Sequence, residues 1–211
     1  MSISTSSQLI PGAVGPIDTL IDLPAEPHGI ALVAHPHPIG GGANTNKVAH
    51  TLARTLASLG YVALRPNFRG VGLSAGSHDE GEGETEDLLT VLAHAQASWG
   101  DLPVVLAGFS FGAYCQTRVA HRLAEAGHPA QQLILVGTAA GFVEGARHYE
   151  TAAVPPETLV IHGSADETVP LANVLAWAEP LELPVIVIPG ADHFFHRRLH
   201  FIRDLVTRAL S

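Results

Sequence analysis

Three short segments of this 211-residue chain carry residue types that can combine for nucleophilic acyl transfer. Gly108-Phe109-Ser110-Phe111-Gly112 matches G-x-S-x-G, the sharp strand-to-helix turn that lifts a serine hydroxyl above a sheet. The hydroxyl is a weak nucleophile near neutral pH, so it needs a base within hydrogen-bond reach and a third group to hold that base in the right tautomer. Gly163-Ser164-Ala165-Asp166 and Gly190-Ala191-Asp192-His193 each follow a short apolar run. Both therefore fall just beyond the C-terminal ends of expected parallel strands, where sites assemble in α/β sheets. The order Ser, acid, His assigns Ser110 as nucleophile, Asp166 as orienting acid and His193 as general base.

Each assignment has a plainer rival. Gly72-Leu73-Ser74-Ala75-Gly76 also fits the serine pattern, but it lies in a polar loop with His78, Asp79 and Glu80 downstream and no helix start, so Ser74 is rejected. Ser110 could simply cap a helix, as serine often does. Asp166 has Glu167 as a neighbour and could cap the helix near Pro170. His193 has His196 three residues on, beside Arg197 and Arg198, where a solvated helical face is expected. The flanking glycines 108 and 112 have a steric reason, because a side chain on either side of such a turn would strike the adjoining strand or helix.

A developing oxyanion needs two backbone donors. The first is the N–H of Phe111, directly after the nucleophile. The second should come from the loop His35-Pro36-His37-Pro38-Ile39-Gly40-Gly41-Gly42, in which the prolines lack an N–H and His37 is the nearest donor. His35 and His37 also form an H-x-H pair, but zinc needs three or four converging ligands and no completing set is visible, so no metal and no cofactor are expected. Phe109, Phe111, Phe142 and Phe194 could line an acyl pocket, although each suits a core equally well. Arg65, Asn67 and Arg69 are expected to hold their loop by pairing with Asp79, Glu84 or Asp87. The acidic stretch from His78 to Asp87 reads as a solvated turn whose carboxylates suit a helix N-terminus.

The elements that must position these residues alternate regularly. Apolar runs at Ile30 to Ala34, Tyr61 to Leu64, Pro103 to Ala107, Leu133 to Val136, Leu159 to Ile161 and Val185 to Ile188 predict six parallel strands covered on both faces. Between them, helices are expected from Asn44 to Gly60, from about Glu84 to Trp99, from Phe111 to Gly127, briefly after Pro170, and from about Phe195 to Leu210. In the first, Val48, Leu52, Leu56 and Leu59 share one face. Before residue 29, Ile17, Thr19, Ile21 and Leu23 alternate with aspartates and predict an antiparallel edge strand, preceded by another around Gln8 to Pro11 with a turn over Gly12 to Pro16. Residues 138 to 157 lack a clear assignment and are too few for a cap domain, so a rather open site is expected.

Length and composition fit this. The chain is expected to form one α/β domain over residues 1–211, and 46% hydrophobic residues supply its core. Eleven Lys plus Arg against 20 Asp plus Glu give a net charge of −9, a surface that repels phosphate backbones and anionic lipid head groups. Neither nucleic acid nor membrane is expected as a partner. Cys115 is the only cysteine, no apolar run is long enough to span a bilayer and the N-terminus lacks a signal pattern, so a cytoplasmic location is expected.

Taken together, His35-Pro36-His37-Pro38 with its glycines, Asn67-Phe68-Arg69-Gly70-Val71-Gly72-Leu73-Ser74, the Ser110 turn, Gly163 to Asp166, and Asp192-His193-Phe194-Phe195-His196 resemble the small lidless bacterial α/β-hydrolases related to dienelactone hydrolase. The likeness covers nearly the whole chain. It implies the α/β-hydrolase fold, with about eight strands of which one is antiparallel, and hydrolysis of small carboxylic esters. Dienelactone hydrolase itself uses a cysteine nucleophile where this chain has Ser110, so its lactone specificity does not transfer. The expected activity is a serine esterase acting on a small-molecule ester through an acyl-serine. The alternatives are a thioesterase with the same triad, a metal-dependent hydrolase using His35 and His37, and a noncatalytic ligand-binding scaffold.

Overall fold

A computed structural model describes residues 2–143 and 147–211. The first two strands, β1 (Ile3–Gly12) and β2 (Gly15–Pro24), form a hairpin joined by Ala13 and Val14. Then β3 (Gly29–Ala34), α1 (Lys47–Ser58), β4 (Tyr61–Pro66), α2 (Glu82–Trp99), β5 (Val104–Phe109), α3 (Phe111–Glu125) and β6 (Gln132–Val136) alternate. A small hairpin of β7 (Gly141–Phe142) and β8 (His148–Tyr149) follows. After it come β9 (Leu159–Gly163), α4 (Leu171–Ala178), a 3-10 turn, β10 (Val185–Ile188) and α5 (Leu199–Ala209).

Eight strands make one sheet in the order β1-β2-β4-β3-β5-β6-β9-β10. The six expected parallel strands pair parallel throughout, and β2 alone runs against them. Successive residues of a strand face opposite sides, so Ile30, Leu32 and Ala34 join one core with α2, α3 and α4 while Ala31 and Val33 join the other with α1 and α5. This two-sided burial explains the near-continuous apolar runs. No helix among the described residues is long and apolar enough to cross a membrane.

Two expectations need correction. The edge strand is β1, and β2 lies inside the sheet between β1 and β4. The polar run Ser4 to Gln8 is solvent-exposed along that edge, so it carries little hydrophobic signal. The last helix begins at Leu199, four residues later than expected, because Phe195 (φ 52°) and Arg197 (φ 60°) are left-handed and cannot continue a right-handed helix. Phe195 is nonetheless completely buried. The stretch around residues 138–157, to which the pattern assigns no element, contributes the β7–β8 hairpin, and no cap is inserted there among the described residues.

The β1–β2 hairpin is anchored by charge. Asp22 is completely buried and accepts two bonds from Arg65, at 3.1 and 2.8 Å, with further donors from Thr5 at 2.6 Å and Arg54 at 3.3 Å. Arg65 also donates to the Asn44 carbonyl, which leads into α1. Removing the carboxylate would leave a guanidinium buried without its counter-charge. Asp22→Ala is therefore expected to lower stability by about 3 kcal/mol in urea unfolding, and Asp22→Leu combined with Arg65→Met to recover most of that loss.

Candidate active site

Ser110 sits between β5 and α3 with φ 57° and ψ −119°, a conformation that L residues adopt only under constraint. The constraint is local packing. A Cβ on Gly112 would lie 2.4 Å from the carbonyl oxygen of Ala34, and one on Gly108 would lie 2.5 Å from that of Gly112. Without side chains at these two positions, the first turn of α3 can press against the ends of β3 and β5. Ser110 N–H donates to Val136 O at 2.9 Å, and Gln116 of α3 donates to the carbonyls of Leu32 and Ala107. These bonds pin the turn to both neighbouring strands.

Ser110 Oγ lies 3.0 Å from His193 Nε2, and His193 Nδ1 lies 2.7 Å from Asp166 Oδ2. All three side chains are buried or nearly so. Each comes from a loop at the C-terminal ends of the parallel strands: β5, β9 and β10. Asp166 Oδ1 accepts the N–H groups of Thr168 and Val169, which fixes the carboxylate and leaves Oδ2 for the imidazole. With Nδ1–H donated to Asp166, Nε2 is left as an acceptor for the serine proton. An imidazole so placed can take a hydroxyl proton and return it to a leaving group.

The rivals occupy different places. Ser74 is a loop tie: its Oγ accepts Asp18 N–H at 2.9 Å and donates to Asn67 O at 2.8 Å. Glu167 is exposed. His196 is exposed and pairs with Asp192 at 2.6 Å. Its hydrogen bond and the backbone N–H it donates to the same carboxylate hold the Asp192 pKa below its ordinary value.

The N–H groups of Phe111 and His37 have no hydrogen-bond acceptor among the described residues, Phe111 being the first residue of its helix. The His37 ring packs 5.0 Å from that of Phe111 and 4.7 Å from that of His78. Partial burial, with the neighbouring charges of His78 and Arg147, lowers the His37 pKa. His35 is fully buried, its Nδ1–H donating to Pro36 O at 2.7 Å and its Nε2 accepting Phe68 N–H at 2.9 Å. Both ring nitrogens are thus committed, and burial holds its pKa down at about 4.

A cavity of about 320 Å³ opens beside Ser110, lined by His37, Ile39, Phe111, Val143, Tyr149 and Val169 among others. Of the four phenylalanines considered for a pocket, Phe111 lines it. Phe109 is completely buried beneath His193, with ring centroids 4.8 Å apart, and Phe142 and Phe194 are exposed outside this cavity. Tyr149 and Val143 come from the hairpin stretch, which has no periodicity to reveal them. His162, buried 3.5 Å from Asp166 Oδ2, was also hidden in a strand run.

The acidic stretch is solvated only in part: Asp79, Glu80, Glu82 and Glu86 are exposed and Glu82 and Glu84 sit in the first turn of α2, but Glu84 and Asp87 are buried. Glu84 is completely buried, accepting His78 Nδ1–H and Asp79 N–H on one oxygen and Gly81 N–H on the other. Asp87 grips Arg69 with two bonds of 2.9 Å. Arg69 thus pairs as expected, whereas Arg65 pairs with Asp22 and Asn67 with Asp18 at 3.0 Å and Asn44 N–H at 2.8 Å. The carboxylates bury because backbone N–H groups and cations meet them there.

The sheet order, the strained serine and the loops at the strand ends define an α/β hydrolase. Residues 25–153 match the family described as serine aminopeptidase, S33. An uncharacterised protein of Rickettsia prowazekii is 33% identical over 174 residues, covering 79% of this chain and 71% of its own length. The lysophosphatidylserine lipase ABHD12 of Gallus gallus is 36% identical over 124 residues, which are 58% of this chain but only 31% of the lipase. Among solved structures, an α/β serine hydrolase homologue from Coxiella burnetii has 38% identity and a TM-score of 0.86 with both chains fully covered. XC6422 from Xanthomonas campestris, described as an α/β serine hydrolase without lid, has 37% identity and a TM-score of 0.86, with 100% of this chain and 95% of that one covered. The chain belongs to the serine aminopeptidase S33 family of α/β hydrolases.

The buried, neutral His35 has a consequence for stability. Unfolded, this imidazole takes up a proton below its ordinary pKa of 6.5, whereas the folded protein resists protonation until about pH 4. The unfolded state therefore binds more protons across that window, and stability falls as the pH drops from 6.5 to 4, by roughly 3 kcal/mol from this group. In urea titrations, His35→Gln, whose amide oxygen can accept Phe68 N–H, is expected to show a shallower loss over the same window.

Proposed function

We propose that this protein is a serine esterase that cleaves small carboxylic esters through an acyl-Ser110 intermediate. The observation that carries this reading is the unbroken hydrogen-bonded chain from Asp166 through His193 to Ser110 at the strained turn. In the first half-reaction, Ser110 Oγ attacks the ester carbonyl carbon as its proton passes to His193 Nε2. The carbonyl oxygen becomes an oxyanion facing the N–H groups of Phe111 and His37. As the intermediate collapses, the C–O bond to the alcohol breaks and His193 returns the proton to the departing oxygen. Water then repeats the sequence against the acyl-enzyme, releasing the acid and restoring Ser110. Asp166 keeps the imidazole in its working tautomer and offsets the charge formed on it.

The cavity volume lies at the low end of small-molecule sites, which favours a short or compact acyl group. Thioesters pass through the same tetrahedral geometry and form the nearest alternative within this class. A metal-dependent route through His35 and His37 lacks support, because both nitrogens of His35 already serve the backbone. A noncatalytic scaffold would have no use for a hydroxyl hydrogen-bonded through a histidine to a buried carboxylate.

Ser110→Ala is expected to lower kcat for a p-nitrophenyl ester by on the order of 10⁵ to 10⁶ with an unchanged unfolding curve, and His193→Ala to lose comparable activity. His196→Ala should retain activity close to that of the native protein. Near-native turnover by Ser110→Ala, or the reverse ranking of the two histidines, would refute the assignment. A series of increasing acyl length, with matched thioesters, would then separate the substrate classes.

A further inference from the structure

A second cavity, of about 240 Å³, includes Phe194, the residue directly after His193. It is lined by Asn46, Lys47 and Val48 at the start of α1 and by Phe194, His196, Arg197 and Leu199 after His193, and shares no lining residue with the cavity beside Ser110. The first cavity is built over the α3 face of the sheet, the second over the α1 and α5 face. The His193 ring lies 5.1 Å from that of Phe194, which lines the second cavity. In the esterase reading, His193 is the group that hands a proton to the departing alcohol.

Two exposed cations line this cavity, Lys47 and Arg197. Among the described residues, seven of the eleven Lys and Arg side chains have a carboxylate within 4.0 Å, and Lys47, Arg197, Arg198 and Arg208 do not. Lys47, the only lysine in the sequence, and Arg197 have none among the described residues, although acids outnumber bases nearly two to one. His196 is hydrogen-bonded to Asp192. The end of α1 is also satisfied internally, as Asn46 Oδ1 accepts the N–H groups of Val48 and Ala49. Lys47 and Arg197 are therefore the lining cations with no carboxylate within 4.0 Å among the described residues. They stand beside an exposed phenyl ring, and the left-handed residues Phe195 and Arg197 turn the backbone between them.

We propose that this cavity holds an anionic group, carboxylate or phosphate, carried on the alcohol portion of the substrate. Lys47 and Arg197 neutralise it, and Phe194 covers the apolar link back to the scissile ester. This assignment rests on the esterase reading for its role and on the two free cations for its ligand. The protein's overall negative charge repels anions at long range, so selectivity arises from these local contacts and weakens as salt is added.

The test compares acetate esters of similar size: 4-acetoxybenzoate, its neutral analogue 4-acetoxybenzamide, and 4-acetoxyphenyl phosphate. In Lys47→Gln/Arg197→Gln, the ratio of kcat/KM for the anionic esters to that for the neutral ester is expected to fall about tenfold, the scale of two partly exposed ion pairs. Arg208→Gln, at the far end of α5, should leave the ratio where it is. A second readout does not need turnover. Ser110→Ala should bind 4-hydroxybenzoate or phenyl phosphate in calorimetric titration, about tenfold more weakly when the two glutamines are added. A larger loss for one of the two anions identifies which group the cavity takes. Esters hydrolysed with no charge preference, and anions that do not bind, would overturn the proposal while leaving the esterase intact. Anion binding lost in the double variant, with none of the esters turned over, would keep the cavity's ligand and reject the esterase role.

Discussion

How closely α3 can approach the ends of β3 and β5 decides whether this site exists. Gly108 and Gly112 permit the contact, and the chain between them must then turn so sharply that Ser110 is left at positive φ. Such a residue costs on the order of 1–3 kcal/mol. The turn offsets this by burying its two neighbours in different places: Phe109 in the core on the α1 face and Phe111 in the core on the α3 face. Two positions apart, with the serine between them, the two rings bury on opposite faces of the sheet; one packs against His193 and the other lines the cavity.

The loops around that turn are held chiefly by ionised and polar groups taken out of water together. Asp22 with Arg65, Asp87 with Arg69, and Glu84 with three N–H donors each close a network that hydrophobic contacts alone could not orient. His35 adds an uncharged example, joining the segment after β3 to the segment after β4 through its two nitrogens. The direction of the His37 N–H therefore depends on residues two and more positions away, and on a histidine that never needs to touch a substrate.

Much of this was legible in the chain. The parallel strands announced themselves because burial on both faces demands unbroken Val, Ile, Leu and Ala, and the helices because their inner faces repeat at helical spacing. The G-x-S-x-G turn could be told from its rival at Ser74 because only the former joins a strand to a helix. Other features left no local trace. The burial of Glu84 depends on donors brought by its own loop, and an acidic run in sequence looks the same whether wet or dry. Strand β1 is polar because it is an edge, so pattern shortened it. The start of α5 was misplaced because Phe195 fits the helical stripe perfectly well while its backbone turns the wrong way. Tyr149 and Val143 reach the cavity from a hairpin with no periodicity at all.

The sheet's two outermost strands also bear on how these molecules behave when crowded. On one flank, β1 offers neighbours a run of serine, threonine and glutamine. On the other, β10 is a stretch of valine and isoleucine that a second chain could extend into a fibril, yet it is only four residues long, and Pro184 and Pro189 bracket it. Proline has no N–H to contribute to a ladder, so any intruding strand would run out of partners after one or two bonds. The apolar border of the sheet is thus closed to strand addition by its length and its prolines, independently of the chemistry at its centre.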